Sequence, residues 1–140
     1  MLLVLPPGHE QAGREPVTLR SLRDEKWITG AGASDPATRL LAWACAREGF
    51  EPVHSIGTSD RRALLEFVAA GLGVALIPAL DLVGQRDDDV VRTIAGPTVA
   101  RRIDAVQLRT RVTESAGRLL SELRIEANRI RLRKGDPRLN

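Results

Sequence analysis

Two short loops carry the residues best suited to hold a ligand. The first is Thr29-Gly30-Ala31-Gly32-Ala33-Ser34. Its small residues let a ligand approach the backbone, and Thr29 and Ser34 add hydroxyls. The helix expected to begin at Pro36 would leave N–H groups that favour an anion. The second is Gly57-Thr58-Ser59-Asp60, with two hydroxyls at the start of another expected helix. Ser59 or Asp60 can equally do no more than cap that helix. On their own residues, these loops fit a tight turn as well as a carboxylate cradle. A dinucleotide site is disfavoured. The third glycine position after Gly30-x-Gly32 is Asp35, whose charge would repel a pyrophosphate.

Nothing else is arranged for catalysis or metal binding. Cys45 falls on the apolar stripe of the first expected helix and reads as an inert core thiol. His9 and His54 are the two histidines, and neither has a spacing to Cys45 or to the aspartates that suggests a triad or a metal site. His54 reads as a strand residue, Trp27 and Trp43 as packing, with Trp27 near the ligand loops. Asp87-Asp88-Asp89 reads as a solvated acidic loop rather than a cation site. Arg61-Arg62 opens a helix against its dipole. An exposed pair is the simpler reading and a ligand or partner contact the alternative. The chain is therefore expected to be no enzyme, with no cofactor and no metal.

These residues sit on an alternation of strands and helices, the pattern of an α/β fold with a largely parallel sheet. Strands are predicted at residues 2–5, 26–29, 53–56, 74–77, 90–94 and 102–108. Pro36 to Glu48 reads as a helix, with Asp35 as its cap and proline at its first position. Leu40, Leu41, Ala44 and Cys45 form its inner face. The run from Asp60 to Pro78, D-R-R-A-L-L-E-F-V-A-A-G-L-G-V-A-L-I-P, reads as a capped helix, a two-glycine turn and a strand covered on both faces. Leu64, Leu65, Val68, Ala69 and Leu72 mark the buried face of that helix. A shorter helix is predicted after Pro78. A last helix begins near Thr113, with one apolar stripe through Ala116, Leu119, Leu120, Leu123, Ala127 and Ile130. Gly135-Asp136-Pro137 ends it.

This ordered set resembles the effector-binding domain of LysR-type transcriptional regulators. The "VAAGLGVALIP" run carries most of the likeness. Leu3-Val4-Leu5-Pro6 with Gly8-His9, then Trp27-Ile28, then Gly49-Phe50-Glu51-Pro52 fall in the family's order. The resemblance covers roughly residues 2–123 and departs where Glu10, not proline, follows His9. It implies a periplasmic-binding-protein-like (type 2) fold, here one complete lobe plus the returning part of the other. Residues 1–5 would be a crossover strand, 6–78 the second lobe, 79–134 the return into the first lobe with the C-terminal helix, and 135–140 a tail. It also implies a small, anionic organic effector held between lobes. With the resemblance, ligand contact becomes the favoured reading of the first loop. The site residues are then Thr29, Gly30, Ala31, Gly32, Ser34, Thr58, Ser59 and Asp60, with Ile77 and Pro78 as an apolar wall. DNA would be reached only through a DNA-binding domain that this sequence lacks.

Composition sets further bounds. The 140 residues are 43% hydrophobic, 28% charged and 3% aromatic. So few aromatics disfavour a base-stacking nucleic-acid platform. No apolar run approaches the ~20 residues that span a bilayer. A single cysteine fits a reducing, cytoplasmic setting. The net charge of +3 sits wholly in residues 113–140, where basic side chains outnumber acidic ones seven to four. Strands at 90–94 and 102–108 are expected to lack partners within this chain. Residues 79–130 are therefore expected to self-associate or to be disordered. An interaction module pairing with a full-length regulator, and an α/β enzyme acting on a phosphorylated or carboxylated substrate, are the alternatives.

Overall fold

Strand β1 (Leu2–Leu5) is buried along its whole length and divides the core in two. Its side chains alternate between faces, as a pleated strand requires. Leu3 and Leu5 point to one apolar cluster and Val4 to another. The computed structural model describes residues 1–32, 34–82, 90–96, 99, 103–108 and 113–132, with side chains to residue 130. It divides into two compact units, Met1–Arg101 and Arg102–Asn140.

In the first unit β1 lies between β4 (Ala75–Ile77) and β5 (Val90–Arg92) and runs antiparallel to both. β2 (Lys26–Thr29) and β3 (Val53–Gly57) form a parallel pair. A parallel bridge from Trp27 to Val74 joins the two sheets edge to edge. Ile28 N–H donates to the Val74 carbonyl at 2.9 Å, and Val74 N–H to the Lys26 carbonyl at 2.8 Å. The sheet is thus mixed rather than largely parallel, because β1 runs against both of its neighbours. Gly73 makes the join possible: a Cβ there would lie 2.4 Å from the Lys26 carbonyl oxygen.

A helix covers each face. On one side α1 (Pro36–Arg47) buries Leu41, Ala44 and Cys45 with Leu3, Leu5, Trp27, Val74 and Leu76. On the other α2 (Arg61–Ala69) buries Leu64, Leu65 and Val68 with Val4, Ile28, Ala75 and Ile77. Each fully buried aliphatic side chain contributes about 1.5–3 kcal/mol relative to exposure. The unalternating apolar run 74–77 is explained by these two covers: Val74 and Leu76 serve one cluster, Ala75 and Ile77 the other.

Several expectations are corrected. Val90–Arg92 does find a partner inside the chain, since Leu5 pairs with Val90 and Leu3 with Arg92. Arg92 also donates from Nε to the Ala12 carbonyl at 2.7 Å, and Glu15 accepts from Thr93 N–H at 2.8 Å. Residues 103–108 form no strand and are exposed, because among the described residues no neighbouring strand offers them a ladder. Leu72 and Ala69 are exposed rather than buried. The helix ends at Ala69, and Leu72 lies past Gly71, whose φ of +77° turns the chain away. Trp43 is half-exposed, with the Arg47 guanidinium 5.0 Å from its ring centroid. The segment after Pro78 is one 3-10 turn, Ala79–Leu82.

The second unit contains α3 (Glu114–Leu132). Thr113 Oγ1 accepts from Ala116 N–H at 3.3 Å at its start. Arg118 pairs with Glu114 at 2.6 Å and Arg129 with Glu126 at 3.1 Å along its surface. The aspartate run at 87–89, Ala33, and the residues 135–137 expected to end the last helix lie outside the described residues.

Candidate functional site

Parallel pairing brings the two sequence-predicted loops together. Thr29 and Gly57 are register partners at the carboxyl ends of β2 and β3. Thr58 N–H then donates to the Thr29 carbonyl at 3.0 Å. β4 is parallel to β2 at the Trp27–Val74 bridge, so its carboxyl end faces the same way. Ligands of open α/β sheets bind beyond such ends.

The two helix starts that flank this edge are already occupied by carboxylates of the chain itself. Asp35 Oδ2 accepts from Thr38 N–H at 2.7 Å and from the Thr38 hydroxyl at 3.0 Å. Asp60 Oδ1 accepts from Arg62 N–H at 2.9 Å and Ala63 N–H at 3.2 Å. Thr58 Oγ1 in turn accepts from Asp60 N–H at 3.1 Å. The helix N-termini are therefore capped, and an incoming anion meets negative charge there. Gly30 is needed for this arrangement, since a Cβ on it would lie 2.2 Å from Asp35 Cγ.

Between the helix starts lies a narrow recess of about 10 Å³, room for about one water. Thr29, Gly30, Thr38 and Arg61 give it polar groups, and Ile28, Ala37, Leu41, Leu64 and Leu76 give it apolar walls. Arg61, the first residue of α2, pairs through Nε with Asp81 Oδ2 at 3.0 Å. Of the predicted residues, Thr29 and Gly30 line the recess. Ala31, Gly32, Ser34 and Ser59 are exposed nearby, Thr58 is half-buried, and Asp60 is an exposed cap. Ile77 and Pro78 are buried, Ile77 within the core beneath α2. The wall residues were missed because they look like ordinary core positions of two helices. Arg61 did carry a signal, as a cation where a helix disfavours one.

The remaining reactive groups are quiet. Cys45 is fully buried, and burial, with the nearby Glu48 charge, pushes its thiol up to about 11. That keeps it protonated and poorly nucleophilic. Trp27 is also fully buried within the core. His9 caps a 3-10 turn by accepting Gln11 N–H at Nδ1, 3.1 Å, which leaves Nε2 facing Glu25 Oε1 at 3.2 Å. Among the described residues no cluster of three or more His, Cys, Asp or Glu side chains is placed to hold a metal ion. Among them, too, no helix is long and apolar enough to cross a membrane.

The decisive comparison is with protein families: the family model for the LysR substrate binding domain matches residues 1–128. The chain belongs to that family. Its fold is the family's periplasmic-binding-protein-like, type 2, α/β fold. The LysR family is one of transcriptional regulators, not one defined by an enzymatic reaction. The HTH-type transcriptional regulator AlsR of Bacillus subtilis is 29% identical over 79 residues, 56% of this chain and 26% of AlsR. The CcmR regulatory domain of Synechocystis PCC6803, in complex with 2-PG, superposes with a TM-score of 0.70 at 17% identity. That match covers 87% of this chain and 60% of the CcmR chain. The BenM effector binding domain with its effector benzoate gives a TM-score of 0.60 at 22% identity, over 70% of this chain and 46% of BenM's. This LysR-family chain thus spans about a quarter of the curated regulator it matches.

Proposed function

We propose that the recess between the starts of α1 and α2 is this chain's share of an effector site for a small organic anion. The observation that carries the reading is the hydrogen bond from Thr58 N–H to the Thr29 carbonyl. It sets both predicted loops at one edge of the sheet, beside a water-sized recess whose lining includes the cation Arg61. The ligand named with BenM is benzoate and that named with CcmR is 2-PG, both small molecules. Residues 6–78 are read as the second lobe, entered by the strand at 1–5, with 79–134 returning toward the first lobe and 135–140 a tail. The effector would lie between lobes, with Ala31, Gly32, Ser34, Ser59 and the caps at its rim. Binding would change how lobes and subunits pack, and so how a DNA-binding domain outside this chain sits. The chain is read as a cytoplasmic sensor that self-associates and catalyses nothing.

A site with one wall missing binds weakly. If a full site gave about 10 μM, near −7 kcal/mol, losing half its contacts leaves roughly millimolar affinity. The test is a thermal-unfolding screen of the purified chain against 10 mM carboxylates, phosphate esters and their neutral analogues. A millimolar ligand at that level stabilises by about 1.4 kcal/mol. Acids that raise the melting temperature while their neutral analogues do not support the reading. A panel with no acid–neutral difference, or tight micromolar binding by a neutral compound, overturns it.

A further inference from the structure

We infer that Arg61 is the anchor for the effector's carboxylate and that Asp81 is the resting counter-ion which the carboxylate displaces. This rests on the recess being the effector site. Among the described residues lining the recess, Arg61 is the charged one; the others offer hydroxyls, a glycine backbone and five apolar walls. Of the backbone N–H groups that would attract an anion, Thr38's is taken by Asp35 at α1 and those of Arg62 and Ala63 by Asp60 at α2. An arriving carboxylate therefore needs a cation, and Arg61 is the cation within reach.

The helix itself gives no reason for arginine at this position. As the first residue of α2 it sits against the positive end of the helix dipole. Its partner Asp81 stands 3.0 Å from Nε, and the two side chains keep 31% and 26% of their surface open to solvent. A pair at that exposure is weak and exchangeable, unlike a buried one. The guanidinium presents a planar fork that takes a carboxylate through two parallel N–H groups, so an external carboxylate can replace the single contact from Asp81. The ligand class follows from the fork: a compact carboxylate, met at the rim where Arg61 stands beside Thr29, Gly30 and Thr38.

The exchange also reaches beyond the recess. Asp81 belongs to the 3-10 turn Ala79–Leu82 that follows Pro78 at the end of β4. A ligand that takes Arg61 releases this turn from the start of α2. Effector binding would then be coupled to the segment by which the chain leaves the sheet.

The test uses the full chain, 15N-labelled, titrated at constant ionic strength with benzoate and separately with benzamide, its neutral analogue. Benzoate should shift the Arg61 Nε–Hε resonance and the amides of residues 29–38 saturably, with benzamide about tenfold weaker or worse. Asp81→Asn removes the competitor and should tighten benzoate about threefold. Arg61→Gln should weaken benzoate about tenfold while leaving benzamide unchanged, and Arg61→Lys, which keeps the charge but not the fork, should fall between. Circular dichroism checks that each variant keeps its helices. If benzoate moves the loop amides but not Arg61 Nε–Hε, or if Asp81→Asn fails to tighten binding, the site stands and the anchor falls. If no recess amide responds to benzoate in either the natural chain or Asp81→Asn, both fall together.

Discussion

Helices α2 and α3 carry apolar stripes of the same helical spacing and meet opposite fates. In α2, Leu64, Leu65 and Val68 are buried against the sheet with Val4, Ile28, Ala75 and Ile77. In α3, Leu119 is 61% and Leu123 49% exposed, and Ala116, Leu120 and Ile130 are only half-buried. The difference lies in what each unit offers as cover. The mixed sheet presents two apolar faces, and α1 and α2 take one each. The second unit offers α3 no sheet among its described residues, only 103–108 without regular structure. A stripe specifies which face of a helix is apolar, and the rest of the fold decides whether that face is buried. Among the described residues α3 therefore keeps Leu119 and Leu123 exposed, with surface ion pairs at Glu114–Arg118 and Glu126–Arg129.

The contrast can be broken at its stronger end first. Leu64→Ala should cost about 3–4 kcal/mol in chemical denaturation, because the space left beneath α2 cannot collapse freely. A loss below about 1 kcal/mol would mean α2 is not packed as described. Gly73→Ala should cost about 3 kcal/mol, since its Cβ would press on the Lys26 carbonyl and part β2 from β4. Cys45 gives a pH signature. Its thiol pKa is raised from 9.0 to about 11 in the folded chain, so folding favours the protonated form. The associated stability is fully present below pH 9 and lost as pH rises toward 11. Urea titrations should show a decline on the order of 2–3 kcal/mol across that window. It should be absent in Cys45→Ala, and a parallel decline in that variant would remove the assignment.

Smaller effects sharpen the same contrast. Asp60→Ala should cost about 1 kcal/mol through its loss of contacts to Arg62 and Ala63 N–H. Leu123→Ala should change stability by less than about 0.5 kcal/mol in dilute protein. A cost there near that of Leu64→Ala, growing with protein concentration, would show that a second copy covers α3 in solution.

How much was legible follows from the same physics. The strands 2–5 and 26–29 and the two caps Asp35 and Asp60 were readable because composition and turn chemistry are local signals. The Gly71-Leu72-Gly73 turn was readable as a turn, but the need for glycine at 73 comes from Lys26, 47 positions away. The antiparallel pairing of β5 with β1 was hidden for the same reason: Val90 to Arg92 carry no mark of which strand they will join. In the site, the glycines and hydroxyls of the two loops are local signals, and Asp35 is legible as a helix cap and as a bar to pyrophosphate. That its carboxylate lies against Gly30 shows only in the folded loop. The recess walls could not be read from spacing, since Leu41 and Leu64 look like any buried helix residue until β2 and β4 bring them together.

The most direct test of the account is amide hydrogen exchange of the whole chain with and without saturating benzoate. The account predicts added protection at residues 29–38 and 61–65, where the recess is built, and none along 114–132. Protection confined to 114–132, or no change at 29–38 and 61–65, would contradict it.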